Sequence, residues 1–365
     1  MGSPHLTENQ KQEALDAVEK YGTISAAARV LGIPRTTFQD RLIRAKQGFC
    51  PIIPGKSILY NAETGSEKLI WATGKGMQGP TVEEITDSVT VALRDFKPPK
   101  LLKQTVAGDK DLLGIWPLAD LHMGMRAWGL ETGGPDWDIG IATQAYQEGL
   151  DEVTAMTPKL KVGVVLVAGD LAHADNYHQT TTNPATHHIV DVDGRYPKML
   201  EASVEIVMYA AMRALERCER IEVVILPGNH DGATAVAVRL VVAALFEGDK
   251  RVNVSKSPSR YWWYEWGKCM FACTHGDKNN IRRLPGYMAD QMCEMWGRTK
   301  YRYAFTGHFH KKLIEEHPGV RVEILPTPVA PDSFSSDYGF KAPRMFETKV
   351  YHKERGLRHT PTVIL

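Results

Sequence analysis

From residue 111 onward, short apolar runs alternate with longer stretches of helical spacing. The apolar runs at 113–118, 162–167, 221–226, 269–274 and 303–306 have the length of strands. Helical patterns fill the intervals at about 138–156, 198–220, 233–246 and 281–297, and the tail shows its clearest strand patterns at 320–325 and 346–351. Tyr261, Trp262, Trp263, Tyr264 and Trp266 are apolar at both parities, which predicts a strand packing on both faces. Stacking on single-stranded bases is the alternative use of such a run. Strands alternating with helices predict a layered α/β fold, with mixed β-sheets inside and helices outside.

The first 48 residues follow a different pattern. A helix is predicted over 10–20, with Ala14, Leu15, Ala17 and Val18 on its apolar side, and Gly22 ends it. Ser25 is placed to cap a short second helix over 26–31, and Gly32 allows a tight turn. Pro34 suits the first position of a third helix running to about Lys46, with Phe38, Leu42 and Ala45 inward. Arg35, Thr36, Thr37, Gln39, Arg41 and Arg44 are left on the outside. A short helix, a glycine turn and a basic helix make a helix-turn-helix, a small all-α domain over residues 1–48. Residues 49–110 read as a connector, with strands at 57–61 and 68–73 able to pair across a turn and a helix at 82–96. Residues 111–365 form the third and largest region.

Composition narrows the class. Of 365 residues, 43% are hydrophobic, enough for a full core. The formal net charge of +1 means that any nucleic-acid surface must be local. No apolar run approaches the ~20 residues of a membrane helix, and the polar start shows no signal-peptide pattern. A cytoplasmic location without membrane contact is therefore expected. The cysteines, Cys50, Cys218, Cys269, Cys273 and Cys293, are scattered and read as buried free thiols in a reducing compartment.

Five polar blocks stand where the predicted strands end. They are Asp120-Leu121-His122, Gly169-Asp170-Leu171-Ala172-His173, Gly228-Asn229-His230-Asp231, Thr274-His275-Gly276-Asp277 and Gly307-His308-Phe309-His310. In open α/β sheets ligands bind beyond the carboxyl ends of strands, so the fold can gather these blocks. Carboxylate oxygens, imidazole nitrogens and an amide oxygen suit Mn²⁺, Fe or Zn²⁺. A pair of such ions activates a bridging water and clamps phosphate oxygens for in-line attack. The loop residues His178, His187, His188, Asp191 and Asp193 offer further donors, but solvation or a role in covering the cleft is the simpler account. Lys278, Arg282 and Arg283 are placed either to meet a substrate backbone or to be solvated helix ends.

Taken in order, the blocks D-x-H, G-D-x-x-H, G-N-H-D, H-G and G-H-x-H resemble the calcineurin-like metallophosphoesterase superfamily over about residues 111–330. The resemblance implies a calcineurin-like sandwich and two divalent ions, Mn²⁺ foremost with Fe or Zn²⁺ acceptable. It implies that Asp120, His122 and His310 bind one ion, that Asp170 bridges, and that Asn229, His275 and His308 complete the second site. It gives His230 contact with the scissile phosphate and protonation of the leaving oxygen, and it gives Asp231 the orienting of His230. The G-D-L-x-H detail is similar to SbcD-like repair nucleases, where the residue matching His173 assists phosphate positioning; a structural His would look the same. Protein phosphatases of the superfamily usually carry an Arg and a Glu where this chain has His173 and Asp231. The segment Ile24–Thr37 resembles helix-turn-helix units of bacterial and phage regulators.

The combined expectation is a DNA-directed phosphodiesterase, a nuclease with its own DNA-binding module, using a metal-bridging hydroxide. A homodimer is compatible with that module. The alternatives are a phosphatase or phosphodiesterase for nucleotides or other small esters, and a DNA-binding regulator with a sensing phosphoesterase domain.

Overall fold

Apolar spacing in the first forty residues gathers a small helical core. The computed structural model describes residues 107–182, 188–278 and 281–365, parts of 13–42, and the backbone at 56–60 and 67–72. The chain divides into two compact units, Met1–Gly79 and Pro80–Leu365. In the first, Ala17, Ala27, Ala28, Phe38 and Leu42 are buried together, with Val18, Leu31 and Ile33 against them. Helix α1 (Ile24–Val30) is capped by Thr23, whose hydroxyl accepts from the Ala26 N–H at 3.2 Å, rather than by Ser25. Strands β1 (Lys56–Tyr60) and β2 (Glu67–Ala72) pair antiparallel. The helix expected at 82–96 lies outside the described residues.

The second unit runs, in chain order, through β3 (Asp109–Leu118), α2 (Ile139–Ala155), β4 (Leu160–Val167), α3 (Tyr196–Leu215), β5 (Cys218–Ile225), α4 (Gly232–Leu245), β6 (Val252–Val254), β7 (Trp262–Trp266), β8 (Cys269–Cys273), α5 (Leu284–Gln291), α6 (Cys293–Arg298), β9 (Tyr301–Thr306), β10 (Leu313–His317), β11 (Val320–Ile324), β12 (Met345–Glu347), β13 (Lys349–His352), β14 (Gly356–His359) and β15 (Thr362–Ile364). One sheet has the order β14-β13-β3-β4-β5-β6, and its β3 to β6 are parallel. The other has the order β10-β11-β9-β8-β7, with β8, β9 and β11 parallel. This is the layered sandwich of mixed sheets that the alternating pattern predicts.

Burial on both faces explains why the central runs do not alternate. On β4, Val162, Val164 and Leu166 pack toward the second sheet, against Phe271 and Phe305 among others. Val165 and Val167 face the helix layer, where Ile206, Val207 and Val238 lie. On the far side of the second sheet, Met270, Ala272 and Val322 meet Leu284 and Met288 of α5. Each fully buried Val or Leu contributes on the order of 2 kcal/mol.

Boundaries differ from expectation where pairing overrides local propensity. The helix predicted over 198–220 ends at Leu215, because Cys218 and Arg220 pair with Leu160 and Val162 on β4. The helix predicted over 281–297 is interrupted. Pro285 sits in the first turn of α5, where it lacks the N–H to extend a helix from upstream, and Met292 leaves helical geometry at φ −129°, ψ 45°. The strand predicted over 346–351 is two strands in different sheets, β12 with β15 and β13 with β3. Cys218, Cys269 and Cys273 are buried free thiols, whereas Cys293 is exposed; Cys50 lies outside the described residues. No helix among the described residues is long and apolar enough to cross a membrane.

Candidate metal centre

Every polar block follows the carboxyl end of a strand. β3 leads to Asp120 and His122, and β4 leads to Asp170 and His173. β5 leads to Asn229 and His230, β8 to His275, and β9 to His308 and His310. The two sheets deliver these ends to one place.

The backbone there is strained. Among the described residues, the non-glycine positions with positive φ are Asp120 (52°), His122 (44°), Asp170 (51°), Gln179 (59°), His308 (72°) and His310 (48°). All but Gln179 are ligand candidates. The left-handed region costs an ordinary residue about 1–2 kcal/mol. Such strain survives where the surrounding fold over-determines the site, and it concentrates where side-chain placement matters for function. Glycine serves the same end by close approach. A Cβ on Gly228 would collide with the Asp170 carboxylate and backbone nitrogen, and one on Gly169 would collide with the His275 ring.

Two donor groups result. In the first, Asp120, His122 and His310 each offer an atom within 4.8 Å of the others. His122 Nε2 and His310 Nε2 are 3.0 Å apart, and Asp120 Oδ1 is 4.0 Å from the latter. The second comprises Asp170, His275 and His308, within the same 4.8 Å limit. His275 Nε2 lies 3.0 Å from both Asp170 Oδ2 and Asn229 Oδ1. Asp170 Oδ2 is also 4.0 Å from His122 Nε2, so this carboxylate stands between the groups.

Anchors fix each ligand. Asp120 accepts from the His308 N–H at 2.9 Å, and its carbonyl accepts from the Thr327 hydroxyl at 2.7 Å. Asp170 Oδ1 accepts from the His230 backbone N–H at 2.8 Å. His275 Nδ1 donates to the Ala168 carbonyl at 2.9 Å, which turns Nε2 toward Asp170.

The electrostatics suit cations. Asp120 and Asp170 are 0% and 1% exposed. Burial pushes the Asp170 carboxyl up, but His275 and His230 outweigh it and hold the group well below the ordinary range. Burial opposes charge on His275, yet Asp170 beside it raises the imidazole to about 10. Burial, then His230 and His310, pushes His122 well below its ordinary value and leaves it a neutral donor. Neutral imidazoles, buried carboxylates and an amide oxygen fit divalent ions of borderline softness. Asp120, His122 and His310 would hold one, and Asn229, His275 and His308 a second, with Asp170 shared.

His122, His173 and His230 form a further cluster. His173 Nδ1 is 3.0 Å from His122 Nδ1, and the His173 ring stacks on His230 at 5.3 Å. His230 Nδ1 donates to the His173 carbonyl at 2.7 Å. This corrects the role expected of Asp231. Its carboxylate does not orient His230; it accepts from the N–H groups of Leu171 at 2.7 Å, Ala172 at 3.3 Å and Gly228 at 2.8 Å. Asp231 thus ties the loop after β4 to the loop after β5. Burial, and next the nearby Asp170, push its carboxyl up to about 7.

Sequence reading missed Asp175. It accepts from the N–H groups of Ala233 (2.9 Å) and Thr234 (2.8 Å) at the start of α4, and from the Thr182 hydroxyl at 2.8 Å. It thereby clamps the segment after His173 to the helix that follows His230. An Asp beyond the block with no helix directly after it gave no capping signal.

Of the residues expected to meet DNA, Thr37 is helical and exposed; Arg35, Thr36, Gln39, Arg41 and Arg44 lie outside the described residues. His178, His188, Asp191 and Asp193 join none of the metal-capable groups among the described residues. Asp193 instead accepts from the Ile139 N–H at 3.1 Å, at the start of α2. His187 lies outside the described residues.

No family model matches the chain, and no curated protein matches it. Solved structures align with it at low identity. A predicted phosphoesterase from Streptococcus pneumoniae TIGR4 is 10% identical, over 70% of this chain and 100% of that one, with a TM-score of 0.30. Vps29 complexed with zinc, from Entamoeba histolytica, is 12% identical over 69% and 98%, with a TM-score of 0.28. An archaeal phosphodiesterase is 13% identical over 70% and 99%, with a TM-score of 0.31. Likeness at this level carries no functional weight.

Proposed function

We propose that this chain is a calcineurin-like metallophosphoesterase that hydrolyses phosphodiesters in DNA. The observation that carries the reading is the pair of largely buried donor groups, Asp120/His122/His310 and Asp170/His275/His308, with Asp170 of the second 4.0 Å from His122 of the first. Divalent ions held there would supply Lewis-acid polarisation of the phosphate and an acidified water. His230 is anchored through Nδ1, so Nε2 is the atom available to protonate the leaving oxygen. His173 holds that ring by carbonyl and by stacking, and Asp231 locks the two loops that carry the pair. The small helical core of the first unit, with Thr37 exposed on its third helical segment, is the DNA-binding module in this reading.

The test is incubation of the full chain with Mn²⁺ and labelled linear DNA, single- and double-stranded, with and without a chelator. Metal-dependent degradation is expected. Intact DNA alongside hydrolysis of nucleotides or a simple diester would move the substrate to small esters. No hydrolysis of any phosphate ester would remove the enzymatic reading.

The general-acid role has its own signature. His230→Ala should lower kcat on a natural diester by about 10²–10⁴-fold. A p-nitrophenolate leaving group departs without protonation, so the loss on bis(p-nitrophenyl) phosphate should be much smaller. Equal losses on both substrates would assign His230 to phosphate binding instead.

A further inference from the structure

Beside the ligand histidines an aromatic and cationic track begins. Phe309, between His308 and His310, is 41% exposed and meets the His308 ring edge-on at 5.1 Å. It lies against Gly276, where a Cβ would come within 3.4 Å of the phenyl ring. Gly276 leads to Asp277, whose carboxylate pairs with Arg260 at 2.9 Å. The next residue after Arg260 is Tyr261, which meets Tyr287 at 4.8 Å. Both tyrosines line a cavity of about 640 Å³, together with Arg282, Arg283 and Asp290. Arg283 is exposed, and the Lys278 side chain, 65% exposed, stands at the near end of the track, 3.5 Å from Asp277.

Two features select a ligand. Aromatic faces take bases, and flanking cations take phosphates. In a duplex the base faces are already stacked on one another, so a lone strand is the form of nucleic acid that can use Phe309 and Tyr287, while the Tyr261 ring stacks on Trp263 and backs Tyr287. Phe309 packs on Gly276, and Gly276 leads through Asp277 and Arg260 to Tyr261. Asp277 is shared by Arg260 and Lys278, Arg282 stands 3.9 Å from Glu315, and the Lys278 and Arg283 side chains are exposed cations along the track.

We propose that this track holds the single-stranded nucleic acid adjoining the scissile phosphate, with one base against Phe309 and the following nucleotide between Tyr287 and the Lys278/Arg283 cations. The proposal rests on the phosphodiesterase reading and narrows its substrate to strands with exposed bases.

The test measures binding of the full chain to a fluorescent oligothymidylate and to an abasic oligomer of equal length. Turnover of bis(p-nitrophenyl) phosphate with Mn²⁺ is followed in parallel. The wild type should prefer the base-bearing oligomer by about tenfold. Lys278→Gln combined with Arg283→Gln, both on the surface, should weaken both oligomers and lower the salt slope by roughly 1.4. Tyr287→Leu should erase the preference for bases, and Phe309→Leu should reduce it. Unchanged affinity and salt slope in the double variant would overturn the track, as would a mononucleotide competing as well as the oligomer. Failure of the wild type to bind the oligomer would overturn it too. Loss of diester turnover in the wild type, with the binding pattern intact, would instead sink the phosphodiesterase reading alone.

Discussion

Asp170→Asn is expected to lower kcat on any phosphodiester by at least about 10³-fold, while the chain remains folded. The side chain is 1% exposed and lies between the two donor groups. Asn preserves shape, and its remaining oxygen can still accept from the His230 N–H, now 2.8 Å away. What it removes is the negative charge shared by both groups. Two measurements separate this loss from misfolding. Mn²⁺ should raise the thermal midpoint of the wild type and have little effect on the variant, since a ligand stabilises only the state that binds it. Without metal, the variant should still unfold cooperatively but at a lower midpoint than the wild type at neutral pH, because the folded state holds the Asp170 carboxyl ionised beside His275 and His230 and Asn removes that buried pairing. A variant with wild-type turnover would remove Asp170 from the reaction, and the dinuclear reading with it.

Lys349→Met should have the largest effect on stability, about 3–5 kcal/mol at neutral pH. Lys349 is 1% exposed on β13, the neighbour of β3. Its ammonium lies 2.5 Å from Glu323 on β11 of the opposite sheet, and 2.7 Å from Glu347. Lys312 reaches Glu347 at 2.7 Å, and Arg321 stands 2.8 Å from Glu323 without hydrogen-bond alignment. Removing the central cation leaves two buried carboxylates undercompensated. Burial pushes Glu347 up, but Lys349 and then Lys312 override it and hold the carboxyl below its ordinary value.

The pH dependence follows from that direction. In the wild type, Glu347 contributes stability above its unfolded pKa near 4.5, and the contribution is lost as pH falls through the depressed folded value. Without Lys349 the folded pKa should instead rise above the unfolded one, so the penalty is full at neutral pH and shrinks on acidification toward 4.5. Urea unfolding at pH 7 and pH 5 should show the gap between variant and wild type narrowing. Combining Lys349→Met with Glu323→Gln and Glu347→Gln should recover much of the loss. A single variant as stable as the wild type at pH 7 would show that the network adds no net stability.

The chemistry of the site was legible in the chain because ligation restricts residue type. Only Asp, His and Asn side chains serve these positions, glycine must stand beside them, and all follow apolar runs of strand length. Asp120, Asp170 and His275 could therefore be singled out without coordinates. The layered α/β class was legible for the same kind of reason, since apolar periodicity encodes what each segment buries. Pairing was not. Cys218 and Arg220 look like the end of a helix until β4 lies beside them, and Thr348 divides a strand-like stretch whose halves join different sheets. Nor could spacing reveal that Asp231 binds loop N–H groups while the His173 carbonyl orients His230. The partner is chosen by a distance and an angle between residues far apart in the chain. The sequence by itself determined which atoms could ligate and in which layers they would be carried. The tertiary structure alone decided which atoms meet, which ligands are forced to positive φ, and that Lys349 ties the sheets together, because these follow from how strand ends converge in space rather than from any local property of the chain.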